Sequence, residues 1–240
     1  MVLDHIDCAC VIHDTKYDMG YVDRLYNMLR RNLSRPVKLH VWTESHRSLN
    51  PEYVRHDLIE WKDVAGPRKS WWYKIQMFDP RHEISGPLLY FDLDVVIVDN
   101  IDWMLDLPEH KFCAVKDFRY LWRANRQEIN SSIMFWQPQR YHWIWEEFTN
   151  RTRQAVIKKH AGDQDFLNEV IPKDQILFLP EHRIQSYRWQ VLNGGWNNQS
   201  RSYHRPGTGC NITAGTSVVV FHGDPKPGTV QDAVIRAHWG

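Results

Sequence analysis

Two carboxylates, Asp92 and Asp94, stand one residue apart directly behind the apolar run Leu88-Leu89-Tyr90-Phe91. Placing charges at the end of a core strand is costly unless something positive meets them. A divalent cation is the usual reason, because carboxylate oxygens are the hard ligands that Mg²⁺ and Mn²⁺ take. With Leu93 pointing away, both acids can address one ion and an anion beside it. The plainer reading is that strand ends favour Asp as a turn residue.

Four further clusters invite a chemical reading. Gly162-Asp163-Gln164-Asp165 combines a helix start with an acid and an amide. His222 and Lys226 lie four residues apart after a late apolar run; the plainer reading of His222 is a cap at a strand end. Asp14 and Tyr17 follow the first apolar run, where Tyr17 suits either a stacking surface or the core. Lys74 sits beside the aromatics Trp71-Trp72-Tyr73 and could equally be a surface charge.

These residues need a frame. Residues 7–12 read as a buried strand, and residues 18–33 then switch to helical spacing, with Val22, Leu25, Tyr26, Leu29 and Leu33 recurring every three or four positions. Arg35-Pro36 stops that helix, and residues 37–42 alternate as a strand. A short strand is expected near 57–61, a helix over 71–78 and a strand over 88–91. Farther on, strands are expected at 131–136, 176–179 and 217–221, with a Trp-rich helix at 141–148 and another at 164–170. Residues 193–215, rich in Gly, Asn and Ser, read as a long loop over the site. The rhythm predicts an α/β fold with a mostly parallel central sheet flanked by helices. In such sheets ligands sit beyond the carboxyl ends of the strands, so residues 13–17, Asp92–Asp94 and His222 are the positions to inspect.

Composition narrows the partners. With 30 basic and 29 acidic residues the net charge is +1, so no polyanion is implied and nucleic acid is a poor fit. No stretch approaches the roughly 20 apolar residues of a membrane span. The acidic start, Asp4 and Asp7, does not match a signal peptide, and the expectation is a cytoplasmic protein. Cys8, Cys10, Cys113 and Cys210 form no metal-type pair, and Cys8 and Cys10 alternate as a buried reduced pair on one strand face. Twelve tryptophans suit carbohydrate stacking, though most are expected in the core.

Taken in order, these segments resemble the GT-A-fold glycosyltransferases, and more closely their retaining, glycogenin-like branch. Asp92-Leu93-Asp94 resembles that family's metal motif. Asp14-Thr15-Lys16-Tyr17-Asp18-Met19-Gly20 resembles its first strand-to-helix loop, and Lys74 stands where the family carries a base that reaches the donor. Asn130-Ser131-Ser132 resembles its Asn-Ser/Ala-Gly triplet, and residues 163–168 its Asp-Gln-x-x-Leu-Asn segment. The run Phe221-His222-Gly223-Asp224-Pro225-Lys226-Pro227 resembles its late His…Gly-x-x-Lys-Pro element, but with His and Gly adjacent, and Ser132 stands where Gly is usual.

The resemblance implies a single Rossmann-like GT-A domain over 1–240, with a nucleotide-binding half (1–100) and a donor-sugar and acceptor half (101–240). It implies a UDP-sugar donor and a cation held by Asp92, Asp94 and His222. Imidazole tilts the metal from Mg²⁺ to Mn²⁺. Asp14, Tyr17, Lys74, Asp92, Asn130 and Lys226 would contact the donor. Lys226 would clamp its phosphates as a point charge. Asp163 would bind the sugar hydroxyls, and Gln164 would stabilise an oxocarbenium-like transition state. Transfer would proceed with retention, the departing phosphate deprotonating the acceptor. The acceptor, whether carbohydrate, glycolipid or protein, stays open; residues 186–189 and the loop at 193–215, with Trp189 and Trp196, are its candidate walls. Two rival readings remain. Phe91-Asp92-Leu93-Asp94 also resembles the first motif of haloacid-dehalogenase-type phosphatases, with Asp92 as nucleophile. The altered His-Gly spacing would also suit a degenerate sugar-nucleotide binder.

Overall fold

The computed structural model describes residues 4–62, 64, 69–192, 196–197, 202–203 and 211–240. Its centre is a seven-stranded sheet in the order β3-β2-β1-β4-β7-β6-β8. The strands are β1 (Ile6–Val11), β2 (Val37–Thr43), β3 (Val54–Asp57), β4 (Leu88–Phe91), β6 (Phe112–Lys116), β7 (Ile129–Trp136) and β8 (Ile176–Phe178). β1 pairs in parallel with both β2 and β4, and β2 with β3. The carboxyl ends of these four strands therefore share one edge. β7 runs antiparallel to β4 and β6 and begins at that same edge. A second sheet joins β5 (Val95–Ile97), β12 (Val218–Val220) and β9 (Ile184–Ser186), and a third pairs β10 (Trp196–Asn197) with β11 (Ser202–Tyr203).

Helices cover both faces. α1 (Met19–Asn32) buries Val22, Leu25 and Leu29 as its spacing predicts, with Met28 buried in addition and Tyr26 only partly covered. It packs on one core, which also takes Cys8 and Cys10 from one face of β1. Both thiols are reduced and fully buried, and burial raises their pKa values. The opposite core is aromatic, with Trp42, Trp72, Trp136, Phe78 and Phe112. It is closed by the 3-10 helical segment Ser70–Phe78 and by α2 (Pro138–Tyr141), α3 (Trp143–Asn150), α4 (Arg153–Lys159) and α5 (Asp163–Val170). α6 (Ala233–Trp239) returns to pack against α1 and β5. Among the described residues no helix is long and apolar enough to cross a membrane.

Several expectations shift. The third strand lies at Val54–Asp57 rather than 57–61, because Leu58 and Trp61 bury themselves from a coil beyond the strand end. The segment at 70–78 winds as a 3-10 helix, and the Trp-rich helix is divided at His142. Cys210 and most of the loop at 193–215 lie outside the described residues.

Candidate active site

The shared strand edge opens into one cavity of about 500 Å³. Its walls come from the loops after β1 (Lys16, Tyr17) and β4 (Asp92, Asp94), from the start of β7 (Ser131, Ser132), from α5 (Asp163, Gln164) and from the turn after β12 (His222, Lys226). Lys74 reaches it from the 3-10 segment.

Backbone pairing sets the two carboxylates in place. The Asp92 N–H donates to the Ser132 carbonyl at 2.8 Å, which extends the β4–β7 ladder by one residue. The Asp94 carbonyl accepts the Phe221 N–H at 3.0 Å, extending the β5–β12 pairing and bringing His222 alongside. Each acid meets a lysine and a tyrosine. Asp92 Oδ1 lies 2.7 Å from Lys74 Nζ and accepts the Tyr90 hydroxyl at 2.6 Å. Asp94 Oδ2 lies 2.5 Å from Lys226 Nζ and accepts the Tyr17 hydroxyl at 2.8 Å. Burial works against the Asp92 charge, but Lys74 outweighs it and lowers the pKa. Lys74 also loses hydration, yet Asp163 and Asp92 raise its pKa and keep it charged. Burial and the Asp94 charge hold Tyr17 as a neutral phenol, and burial with Asp92 does the same for Tyr90.

The sugar-side residues are fixed by α5. The Asn168 amide bonds Ile129 twice, Oδ1 accepting its N–H at 2.8 Å and Nδ2 donating to its carbonyl at 3.1 Å. That clamp sets the start of α5 against the start of β7. Asp163 is buried with Oδ2 3.6 Å from Lys74 Nζ, and Oδ2 has no hydrogen-bond partner among the described residues. Burial raises its pKa, with Lys74 opposing. Both ends of the Gln164 amide are held: Oε1 accepts the Ser131 N–H at 3.4 Å and Nε2 donates to Asp117 Oδ2 at 3.2 Å.

His222 has a different setting. Its Nε2 pairs with Ser186 Oγ at 2.6 Å, and its ring stacks on Phe118 and meets the edge of Trp189. Burial and then the Arg188 charge push its pKa down to about 3, so it is a neutral imidazole. Among the described residues no three His, Cys, Asp or Glu side chains gather as a ligand set. Asp92 and Asp94 flank the cavity, and His222 lines it bound to Ser186. The adjacent Gly223 has a positive φ of 79°. That left-handed backbone, which a side chain would strain, accounts for glycine directly after His222.

Asp14 and Asn130 stand back from the cavity wall. Asp14 takes a left-handed φ of 61°, its N–H held by Glu44 Oε1 at 2.6 Å and its side chain capping Thr15. Glu44 works against its own burial, and Arg47 brings its pKa down to about 2. Asn130 Oδ1 accepts the Ser132 N–H at 3.0 Å, leaving Ser131 and Ser132 to form the wall. Lys16, Trp71 and Ser131 stand within runs noted in the sequence but without a role of their own, and Asp117 was not singled out at all. For Asp117 the signal was its place directly after β6, at the same strand edge. Trp189 packs on His222 and Trp122, whereas the Trp196 side chain lies outside the described residues.

No family model matches the chain, and no curated protein matches its sequence. Solved structures do match in fold. The galactosyltransferase LgtC, in complex with donor and acceptor sugar analogs, is 13% identical with a TM-score of 0.64, covering 98% of this chain and 92% of its own. The glycosyltransferase GlyE of Streptococcus pneumoniae TIGR4 is 11% identical with a TM-score of 0.63, over 98% of this chain and 60% of its own. The bifunctional glycosyltransferase WbbM is 13% identical with a TM-score of 0.63, over 100% of this chain and 50% of its own. At such identities the likeness speaks to architecture, and by that measure the chain has the fold of a GT-A glycosyltransferase.

Proposed function

We propose that the protein is a metal-dependent glycosyltransferase that moves a sugar from a nucleoside-diphosphate donor, of the UDP-sugar class, to an acceptor with retention. The carrying observation is the convergence on one cavity of Asp92 and Asp94, the ammonium groups of Lys74 and Lys226, and the Asp163-Gln164 pair. In this reading residues 1–240 act as one domain, with Tyr17, Lys74, Asp92 and Asp94 of the first half facing the nucleotide diphosphate. Asp163 and Gln164 of the second half face the sugar.

The donor set fits a divalent cation. Four carboxylates (Asp92, Asp94, Asp163, Asp224) and three ammonium groups (Lys16, Lys74, Lys226) line the cavity, a formal charge of −1. A diphosphate would be repelled by that charge unless a cation joined it. Asp92 and Asp94 would hold the ion, and His222, neutral as a ligand must be, would join them as third ligand by exchanging its Ser186 partner. The mixed oxygen and imidazole set favours Mn²⁺ over Mg²⁺. When bound, the ion would supply Lewis-acid neutralisation of charge on the departing phosphate.

The chain's own groups supply the rest. Lys226 can pass its contact from Asp94 to a phosphate oxygen, and Lys74 ties the phosphate side to Asp163 on the sugar side. Asp163 carries an acceptor oxygen free of hydrogen bonds from the described residues, suited to a sugar hydroxyl. The Gln164 carbonyl oxygen, fixed by Ser131, keeps a second lone pair for positive charge at the anomeric carbon. The likeness in fold runs to transferases, and no observation favours the phosphatase reading. A panel of nucleotide sugars incubated with Mn²⁺, with nucleotide release measured, tests the proposal. One donor should be turned over by the wild type and not by Asp94→Ala; no release from any donor would refute the enzyme reading.

A further inference from the structure

Lys74 and Lys226 are each matched to a carboxylate, at 2.7 Å from Asp92 and 2.5 Å from Asp94. Lys16 is not. Among the described residues it forms no ion pair, although it lines the same cavity. Its ammonium group lies 4.8 Å from the centre of the Tyr17 ring, and that of Lys226 lies 5.6 Å from the same ring. The Tyr17 ring thus has two cations near it, of which Lys226 is paired with Asp94 and Lys16 is not. Loss of hydration lowers the Lys16 pKa, and Lys226 and Lys74 lower it further while Asp94 and Asp92 oppose them.

An idle surface lysine would turn into water, where it is fully hydrated and far from like charges. Lys16 instead lines the cavity, on an exposed residue that a ligand can reach. Its loop is anchored: Asp14, two residues earlier, is held by Glu44 at 2.6 Å and by Arg47, whose guanidinium donates to the Asp14 carbonyl at 2.7 Å. Such anchoring limits how far the Lys16 backbone can drift from Tyr17 and Asp94.

We propose that Lys16 is a phosphate-binding residue for the donor, an ammonium group uncommitted to protein carboxylates and available to the diphosphate. The inference rests on the donor reading above and adds to it a cation that forms no ion pair with Asp92 or Asp94. Lys16 therefore gives part of diphosphate recognition that does not depend on the divalent ion. A free ammonium acts as a point charge on phosphate oxygens, and a charge-assisted bond of this kind is among the stronger polar contacts.

Calorimetric titration of the full chain with UDP, GDP and uridine, each in Mn²⁺ and in EDTA, tests this. Lys16→Met should weaken the preferred nucleoside diphosphate by about tenfold in either condition, and shift uridine by less than about twofold. Lys16→Arg should keep most of the affinity, since charge rather than shape is required. Because Lys16 is exposed, Lys16→Met should unfold at the wild-type temperature, which checks that the fold is intact. Equal weakening of UDP and uridine, or no weakening of either diphosphate, would overturn the assignment. If the wild type bound neither UDP nor GDP in Mn²⁺, the donor reading itself would fall and Lys16 with it.

Discussion

At the scale of single residues, the site is a set of carboxylates matched to lysines and tyrosines, with one member left under-served. Asp92 and Asp94 each have a lysine and a tyrosine, whereas buried Asp163 shares Lys74 at 3.6 Å and, among the described residues, leaves Oδ2 without a hydrogen bond. Its folded pKa is raised, so its ionised form destabilises the protein above that pKa, and this cost disappears as the pH falls through it. Such a cost is expected where a group is arranged for a ligand rather than for the fold. Asp163→Asn should therefore unfold at an unchanged or higher temperature at pH 7.5, while turnover drops by on the order of 100-fold. Differential scanning calorimetry alongside an activity assay decides it, and a clear loss of thermal stability would assign Asp163 a structural role instead.

At the scale of elements, the sheet edge away from the cavity carries a chain of imidazoles. Asp7 Oδ1 bonds His40 Nε2 at 2.9 Å, His40 Nδ1 bonds His56 Nε2 at 2.8 Å, and His56 Nδ1 bonds His82 Nδ1 at 3.2 Å. Trp42 donates its indole N–H to His82 Nε2 at 3.0 Å and stacks on His56 at 4.1 Å. With one proton per ring every bond has a donor and an acceptor, so an added proton must break one. The edge strand β3 is thereby locked to β2 and to the turn after the 3-10 segment. Burial and then the His82 charge push the His56 pKa down to about 3, and burial lowers that of His82, with Asp79 opposing and Arg81 adding to the shift. A depressed histidine pKa means stability that is full above the unfolded value of about 6.5 and declines as the pH falls below it. The free energy of urea unfolding should fall between pH 7.5 and 5.0. His56→Gln should remove on the order of 1 kcal/mol of that fall, after allowance for the half-buried ring. An unchanged pH slope in the variant would show that the rings titrate freely.

The same elements show what a linear sequence reveals. β4 and its two acids were legible because four apolar residues ending in charge is a local signal. The 3.6-residue period of α1 and the alternation of Cys8 and Cys10 were local too. β9 was not legible, since three residues are too few for a period, and so the Ser186–His222 contact was not foreseen. The imidazole chain joins residues 16 and 26 positions apart through sheet register, which no spacing rule encodes.

At the scale of the whole molecule, parallel pairing collects the ends of β1, β2 and β4 at one edge, and antiparallel β7 adds its beginning there. Asp92, Asp163 and Lys226 meet across 134 positions of sequence for that reason. The order of the motifs was readable from the sequence, but the ion pairs that hold the acids before any donor arrives were not. In the proposed function, Asp92 and Asp94 join a divalent cation to a nucleoside diphosphate. The most direct test of that role is the thermodynamic linkage between Mn²⁺ and UDP, measured by titrating UDP at several Mn²⁺ concentrations. UDP affinity should rise with Mn²⁺ in the wild type, and that dependence should vanish in Asp94→Asn. UDP affinity indifferent to Mn²⁺ in the wild type would contradict the account.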